Sequence, residues 1–261
     1  MSEVLYTAGD RIGVITLNRP EVRNAVNRAM ALGLEAAVDA LESDPQVWVG
    51  VLRAETADQP RPVFCAGADL TVIEETGSAA ALDTERGGFA GFVFRERTKP
   101  IVVAVDGLAT AGGLEIVLAC DIVVASTRAS FGLAEVRRNL VAAAGGLYRL
   151  PRAIGRAAAM DAILTGEPID ARRAYELGLV SRLVEPDATF EEAMRVARAV
   201  AEAAPLAVRA SRRAVLMASS EPDDRLRWKT RGMLDELLQT SDAAEGVRAF
   251  AERRTPRWEA R

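Results

Sequence analysis

Ile101-Val102-Val103-Ala104-Val105, Ala111-Gly112-Gly113-Leu114-Glu115 and Ile122-Val123-Val124-Ala125 follow one another closely along the chain. The first and third are unbroken apolar runs rich in valine, the pattern of strands buried on both faces. The middle one opens a helix. A strand, a helix and a strand at this pace need a crossover connection, so the two strands lie parallel in one sheet. A glycine pair is a costly helix start, at about 1 kcal/mol per residue relative to alanine, and close approach of a ligand to the backbone accounts for it. The helix start offers unpaired N–H donors and a positive dipole end. Glu115 puts a carboxylate in the same turn, and Glu135 follows just after Phe131-Gly132 closes a strand. Donors aimed at a carbonyl oxygen, with two carboxylates nearby, suit acid/base chemistry beside a polarised carbonyl group.

Working outward, Val4–Ala8 and Gly13–Leu17 read as strands of a hairpin turning at Gly9-Asp10. Apolar residues from Asn27 to Leu41 recur at helical spacing. Val47–Arg53 and Val63–Cys65 read as strands, the latter cut off by Ala66-Gly67-Ala68-Asp69. Thr71–Arg86 has weak periodicity and reads as a loop or mobile helical segment, and Gly88–Thr98 as a helix. Beyond Glu135 the pattern turns helical: Gly145–Ala153, Ala157–Leu164, Ala171–Leu177, Thr189–Ala203, Leu206–Ala218, Asp224–Gln239 and Asp242–Arg253, with a short strand at Val180–Val184. Strands alternating with helices imply an α/β fold with parallel sheet. A boundary falls near Pro205: residues 1–204 form a mixed α/β core and residues 205–261 an all-helical region.

The 261 residues are 49% hydrophobic and 27% charged, a globular composition. A net charge of −4 argues against general nucleic-acid binding. No apolar run reaches about 18 residues free of charge, so no membrane span is expected. The N-terminus lacks the basic and apolar regions of a signal peptide, which makes the cytoplasm the expected location. The chain has no histidine, which removes histidine triads, histidine bases and histidine-ligated metals. Cys65 and Cys120 form no CxxC pair and read as small buried hydrophobes.

Singly, each motif has a plainer structural reading. Asp69 suits a helix N-cap, and a glutamate in a first helical turn is favoured by the dipole alone. Glu135 reads as a solvated loop carboxylate beside Arg137 and Arg138. Ala142-Ala143-Ala144-Gly145-Gly146 reads as a small-residue turn into a helix.

Together the motifs favour another reading. The chain resembles the crotonase superfamily, the enoyl-CoA hydratase/isomerase family, most closely in its hydratases. The resemblance rests on Leu17-Asn18-Arg19-Pro20 with Asn24-Ala25, on Phe64 to Leu70, on Lys99 to Ser126 and on Phe131 to Leu150. Leu164-Thr165-Gly166, Ala174 to Val180 and Glu245-Gly246 to Trp258 extend it, in one order, over essentially the whole chain. It implies a ββα spiral with two roughly perpendicular sheets and a helical C-terminal region serving oligomerisation and CoA contact. It further implies an acyl-CoA thioester substrate, a homotrimer or homohexamer, and neither a metal nor a cofactor beyond the CoA of the substrate.

By motif match, the backbone N–H groups of Ala68 and Gly112 would form an oxyanion hole for the thioester. Glu115 and Glu135 would hold a water and act on the enoyl double bond. Ala66, Asp69, Leu70, Val72, Leu114 and Trp258 would contact the substrate, with Phe89 and Phe92 as further pocket walls. The chain departs from the family pattern in four places. Ala111 stands where a third glycine is common, Ala134 where a proline is, Ala142-Ala143 where Pro-Gly is, and Thr71 where a lysine near the CoA is frequent. Within the family a Δ3-Δ2 enoyl-CoA isomerase, which needs only the later glutamate, or a lyase of an unusual acyl group are the alternatives. A non-catalytic acyl-CoA binder would need neither carboxylate.

Overall fold

The structure is a computed structural model in which residues 2–57 and 59–261 are described. In its first sheet, β1 (Val4–Gly9) pairs antiparallel with β2 (Ile12–Leu17). The turn falls at Asp10-Arg11, one residue later than the sequence suggests, with φ of 49° and 66°. Two successive left-handed residues match the twist of a two-residue hairpin. Helix α1 (Arg28–Ser43) then crosses over and returns the chain as β3 (Val49–Ala54), parallel to β2. Asn27 caps α1 by accepting the Met30 N–H at 2.9 Å. The helix buries Met30, Ala31, Leu34, Ala37, Val38 and Leu41, one apolar stripe at helical spacing.

β4 (Val63–Cys65), α2 (Leu70–Thr76) and a small antiparallel pair, β5 (Asp83–Thr84) with β6 (Gly88–Phe89), come next. Gly88–Thr98 is therefore not the helix its composition suggests. Gly88, Ala90 and Gly91 stand at φ of 61°, 59° and 65°, and a helix cannot run through three such residues. A methyl group on Gly91 would lie 2.3 Å from the Ala31 carbonyl oxygen, so this segment is pressed onto α1. The Thr71–Arg86 segment, read as a loop or mobile helix, holds α2, a short 3₁₀ turn and β5.

β7 (Ile101–Val105), β8 (Leu108–Thr110), α3 (Gly112–Leu118), β9 (Ile122–Ser126) and β10 (Ser130–Gly132) follow. Then come α4 (Gly146–Ile154), α5 (Arg156–Thr165), β11 (Ile169–Asp170), α6 (Ala171–Glu176) and β12 (Arg182–Val184). The chain ends in α7 (Thr189–Glu202), α8 (Pro205–Met217), α9 (Asp223–Leu237) and α10 (Ser241–Ala251). The six-stranded sheet has the order β1-β2-β3-β7-β9-β12 and the four-stranded sheet β11-β10-β8-β4.

β7 is buried at every position and serves two layers. Ile101, Val103 and Val105 face the main core, while Val102 and Ala104 pack in the layer that α7 covers with Ala193, Ala197 and Ala201. Alanines every four residues let that helix lie close against the sheet.

Candidate active site

Three strands of the four-stranded sheet deliver the site. β4, β8 and β10 lie side by side and parallel, so their carboxyl ends open on one edge, where parallel sheets form their binding crevices. β4 runs into Ala66-Gly67-Ala68, β8 into Ala111 and α3, and β10 into the 3₁₀ turn Glu135–Arg138.

The first two of these segments meet backbone to backbone. Gly67 stands at φ +86°, and a methyl group on it would come 2.8 Å from the Gly112 amide nitrogen. A methyl group on Gly113 would meet the Cys65 carbonyl oxygen at 2.1 Å. Only glycine allows this approach. The turn is held from outside by Val26, whose N–H donates to the Gly67 carbonyl at 2.7 Å and whose carbonyl accepts the Asp69 N–H at 2.9 Å. Between these bonds the Ala68 N–H has no acceptor among the described residues, and neither has the Gly112 N–H at the start of α3. Unpartnered N–H groups away from water are rare, and here one on buried Gly112 and one on half-buried Ala68 flank one backbone contact. Ala111 joins β8 to α3 at φ 51° and ψ −128°, a conformation that favours glycine and costs an alanine about 1–3 kcal/mol. The departure at Ala111 thus leaves the backbone in the glycine conformation and stores strain at the site. The Phe89 ring closes over Gly112: a methyl group there would lie 2.4 Å from it.

The two carboxylates come from α3 and from the turn after β10. Glu115 is 3% exposed, and its Oε1 accepts the Gly146 N–H at 2.9 Å. Burial pushes its pKa up to about 7; the like charge of Glu135 adds to this, and the Gly146 hydrogen bond and the Arg149 cation oppose it. Glu135 is half-buried rather than solvated, and burial raises its pKa too, against the Arg138 charge. Its Oε2 is buried and has no hydrogen-bond partner among the described residues. Leu133 and Ala142 stand beside Glu115, for a methyl group on Gly146 would touch all three within 3.1 Å. The result is an apolar-walled pair of carboxyls in which the charge of Glu135 raises the pKa of Glu115, and in which Glu135 keeps an acceptor atom with no partner among the described residues. Such a pair can give and take protons near neutral pH.

The other residues expected at the site are placed unequally. Val72 packs against the core, Leu114 is fully buried behind the site, and Ala66 is half-buried in the turn. Leu70 is exposed. Phe92 lies fully inside the core. The Asp69 carboxylate is already engaged, capping α2 through Thr71 and pairing with Arg19 at 3.2 Å. Burial works against its charge, but those hydrogen bonds prevail and hold its pKa below the usual value. Trp258 is not brought to the glutamates: its indole donates to the Glu202 carbonyl at 2.9 Å and packs on Gly246 of α10. Both cysteines are free; Cys65 is buried as expected and Cys120 only half-buried, and loss of solvent pushes each thiol up to about 12. The sequence reading missed the hold of Gly146 on Glu115; its one signal was a second tandem glycine after three alanines.

Known proteins resemble this chain over its full length. The profile of the family described as Enoyl-CoA hydratase/isomerase matches residues 7–261. The 2,3-dehydroadipyl-CoA hydratase of Escherichia coli K12 is 34% identical over 261 residues, the whole of both chains. The (E)-benzylidenesuccinyl-CoA hydratase of Thauera aromatica is 36% identical over 97% of each chain. Among solved structures, an enoyl-CoA hydratase from Mycobacterium tuberculosis H37Rv superposes with a TM-score of 0.93 at 41% identity, covering both chains completely. The architecture is thus the crotonase-type α/β spiral that the sequence resemblance implies. The chain belongs to the enoyl-CoA hydratase/isomerase family of enzymes.

Proposed function

We propose that this enzyme is a hydratase that adds water across the double bond of a trans-2-enoyl-CoA to give a 3-hydroxyacyl-CoA. The observation that carries this reading is the pair of buried Glu115 and half-buried Glu135, set beside two backbone donors, Ala68 and Gly112, that have no partner among the described residues. In this scheme a water oxygen bonds to C3 of the enoyl group and the π electrons move onto the thioester oxygen. The Ala68 and Gly112 N–H groups hold that oxyanion; one such donor is worth about 3 kcal/mol in comparable sites. One glutamate takes the proton that the water loses, and the other gives a proton to C2 as the electrons return. The reaction therefore needs one ionised and one protonated carboxyl at once. A Glu115 pKa of about 7 lets the pair hold that state near neutral pH.

The relatives named above act on different acyl groups, so they support the reaction class rather than one acyl chain. Ala66, Leu70 and Val72, around the turn that carries Ala68, would line the thioester arm. The enzyme would work in the cytoplasm as a trimer or hexamer.

Kinetics with crotonyl-CoA test the scheme. Glu115→Gln and Glu135→Gln keep size and hydrogen bonding and remove proton transfer. Each should lower kcat at least ~10²-fold with KM little changed. An isomerase would keep 3-enoyl to 2-enoyl conversion in Glu115→Gln and lose it in Glu135→Gln. A binding protein would show no turnover in any form. Full hydratase activity in Glu115→Gln would overturn the two-carboxylate scheme.

A further inference from the structure

Arg149 lies on α4, one turn beyond Gly146, whose N–H holds Glu115. Its guanidinium is half-buried, and burial pulls its pKa down from the usual arginine value without removing its charge. Nη2 donates to the Val93 carbonyl at 2.6 Å and Nη1 to the Ala144 carbonyl at 3.3 Å. The Phe94 and Tyr148 rings lie 5.5 and 5.6 Å from the guanidinium carbon. Burying a guanidinium costs free energy unless its donors are used and its charge is answered. Two of the five donors are used, on two backbone carbonyls.

Those two carbonyls belong to the two halves of the site. Val93 sits in the irregular segment that lays Phe89 over Gly112. Ala144 begins the Gly145-Gly146 turn that presents an N–H to Glu115. Gly145 stands at φ +114°, and a methyl group on it would lie 2.5 Å from Arg149 Nη1, so that glycine makes room for the clamp. We propose that Arg149 is a positioning residue for the reaction: it fastens the segment over Gly112 to the turn that holds the Glu115 carboxylate, so that oxyanion donors and carboxylate keep one fixed geometry. The proposal rests on the hydratase reading above.

The charge of Arg149 has a second effect. The titratable and charged groups around it are Tyr148 and Arg152 from α4, and Glu115 and Cys120 from α3 and its C-terminal end. The charged groups that act on Glu115 are Glu135, which raises its pKa, and Arg149, which lowers it. Removing the cation leaves burial and Glu135 unopposed by any charge, so Glu115 should titrate at higher pH. A residue that merely filled space would leave that titration where it is.

The test compares Arg149→Met and Arg149→Lys with the wild type, reading kcat and KM for crotonyl-CoA and the Glu115 titration by carbon NMR of labelled glutamate. Misplacing reacting groups by about 1 Å costs on the order of 10²-fold, so Arg149→Met should lose at least about tenfold in kcat with KM little changed. Its Glu115 titration should move to higher pH. Lysine keeps the charge but lacks the planar fork that reaches two carbonyls. Arg149→Lys should therefore hold the Glu115 titration near the wild-type position and still lose kcat. A folded Arg149→Met with wild-type kcat, or with an unmoved Glu115 titration, overturns the proposal. Wild-type kcat in Arg149→Lys overturns the clamp, and decides the matter if the methionine variant does not fold. A wild-type protein that hydrates no enoyl-CoA, yet whose Glu115 titration rises in Arg149→Met, would support the placement of Arg149 and remove the hydratase reading.

Discussion

Glu115 is the residue at which function and stability oppose each other. In an unfolded chain its carboxyl titrates near the ordinary value of 4.5; in the folded protein burial pushes it up to about 7. Between those values the folded state binds more protons than the unfolded one, so stability falls as pH rises through that window. The raised pKa contributes stability fully below about 4.5 and loses it above about 7. Each pKa unit corresponds to 1.36 kcal/mol, so the lost contribution is on the order of 3 kcal/mol. Glutamine cannot ionise and keeps the shape. Glu115→Gln should accordingly be more stable than the wild type at pH 8 and nearly equal to it at pH 4, while losing activity. Thermal melts of both proteins across this range check the sign; a constant difference between them would show that the carboxyl is not held protonated by the fold. Glu135 Oε2, without a partner among the described residues, and the strained Ala111 belong to the same pattern, in which the site keeps costly local features that packing elsewhere sustains.

At the scale of elements, the site depends on how closely β4 and α3 approach. Gly113 touches Cys65 so closely that a methyl group would sit 2.1 Å from a backbone oxygen, and backbone cannot rotate away as a side chain can. Gly113→Ala should force the strand and the helix apart at a cost of about 3 kcal/mol, lowering Tm by roughly 10 °C. Because the Ala68 turn and the Gly112 N–H lie at the two ends of that contact, kcat should fall as well. An unchanged Tm with unchanged kcat would show that the contact is not rigid. For Gly113 the close neighbour is the Cys65 backbone and not the ligand that the sequence suggested, although the need for a close approach at this helix start was legible in the sequence. So were β7, α3 and β9, whose apolar runs and glycines state their roles locally. Gly88–Thr98 was not, since left-handed residues at Ala90 and Gly91 follow from packing on α1, a contact distant in sequence. The hold of Gly146 on Glu115 and the clamp of Arg149 on Val93 were hidden for the same reason: each joins residues far apart in sequence, and no local pattern marks the partner. Trp258 gave a local signal of contact, and within its own chain it meets Glu202 and Gly246.

The whole molecule leaves its C-terminal helices unfinished. α9 has no buried residue along its length, although Trp228 and Leu234 lie on it and Leu238 at its end, all exposed. Between α8, α9 and Arg97 lies a hollow of about 630 Å³, open to the surface and lined by Leu206, Leu216, Met233 and Leu237. On α10, Val247 and Phe250 are 74% and 88% exposed. The tail beyond them is by contrast tightly held: Glu245 pairs with Arg254 at 2.6 Å, and Asp242 accepts the Glu259 and Ala260 N–H groups at 2.8 and 3.0 Å. Large side chains displayed on ordered helices, rather than on loose ends, mark a surface built for burial. Closed symmetric assemblies of identical chains are the usual way to bury one. We therefore expect a homo-oligomer in solution, a trimer or a hexamer, with α9 and α10 at its interfaces. Light scattering should give a mass several times the 27.9 kDa of one chain. Trp228→Asp combined with Phe250→Asp should shift that mass downward, because two unpaired carboxylates would be buried at the interface. A wild-type mass near 27.9 kDa at micromolar concentration would exclude the assembly. An oligomer that keeps its full mass in the double variant would place the interface elsewhere on the molecule.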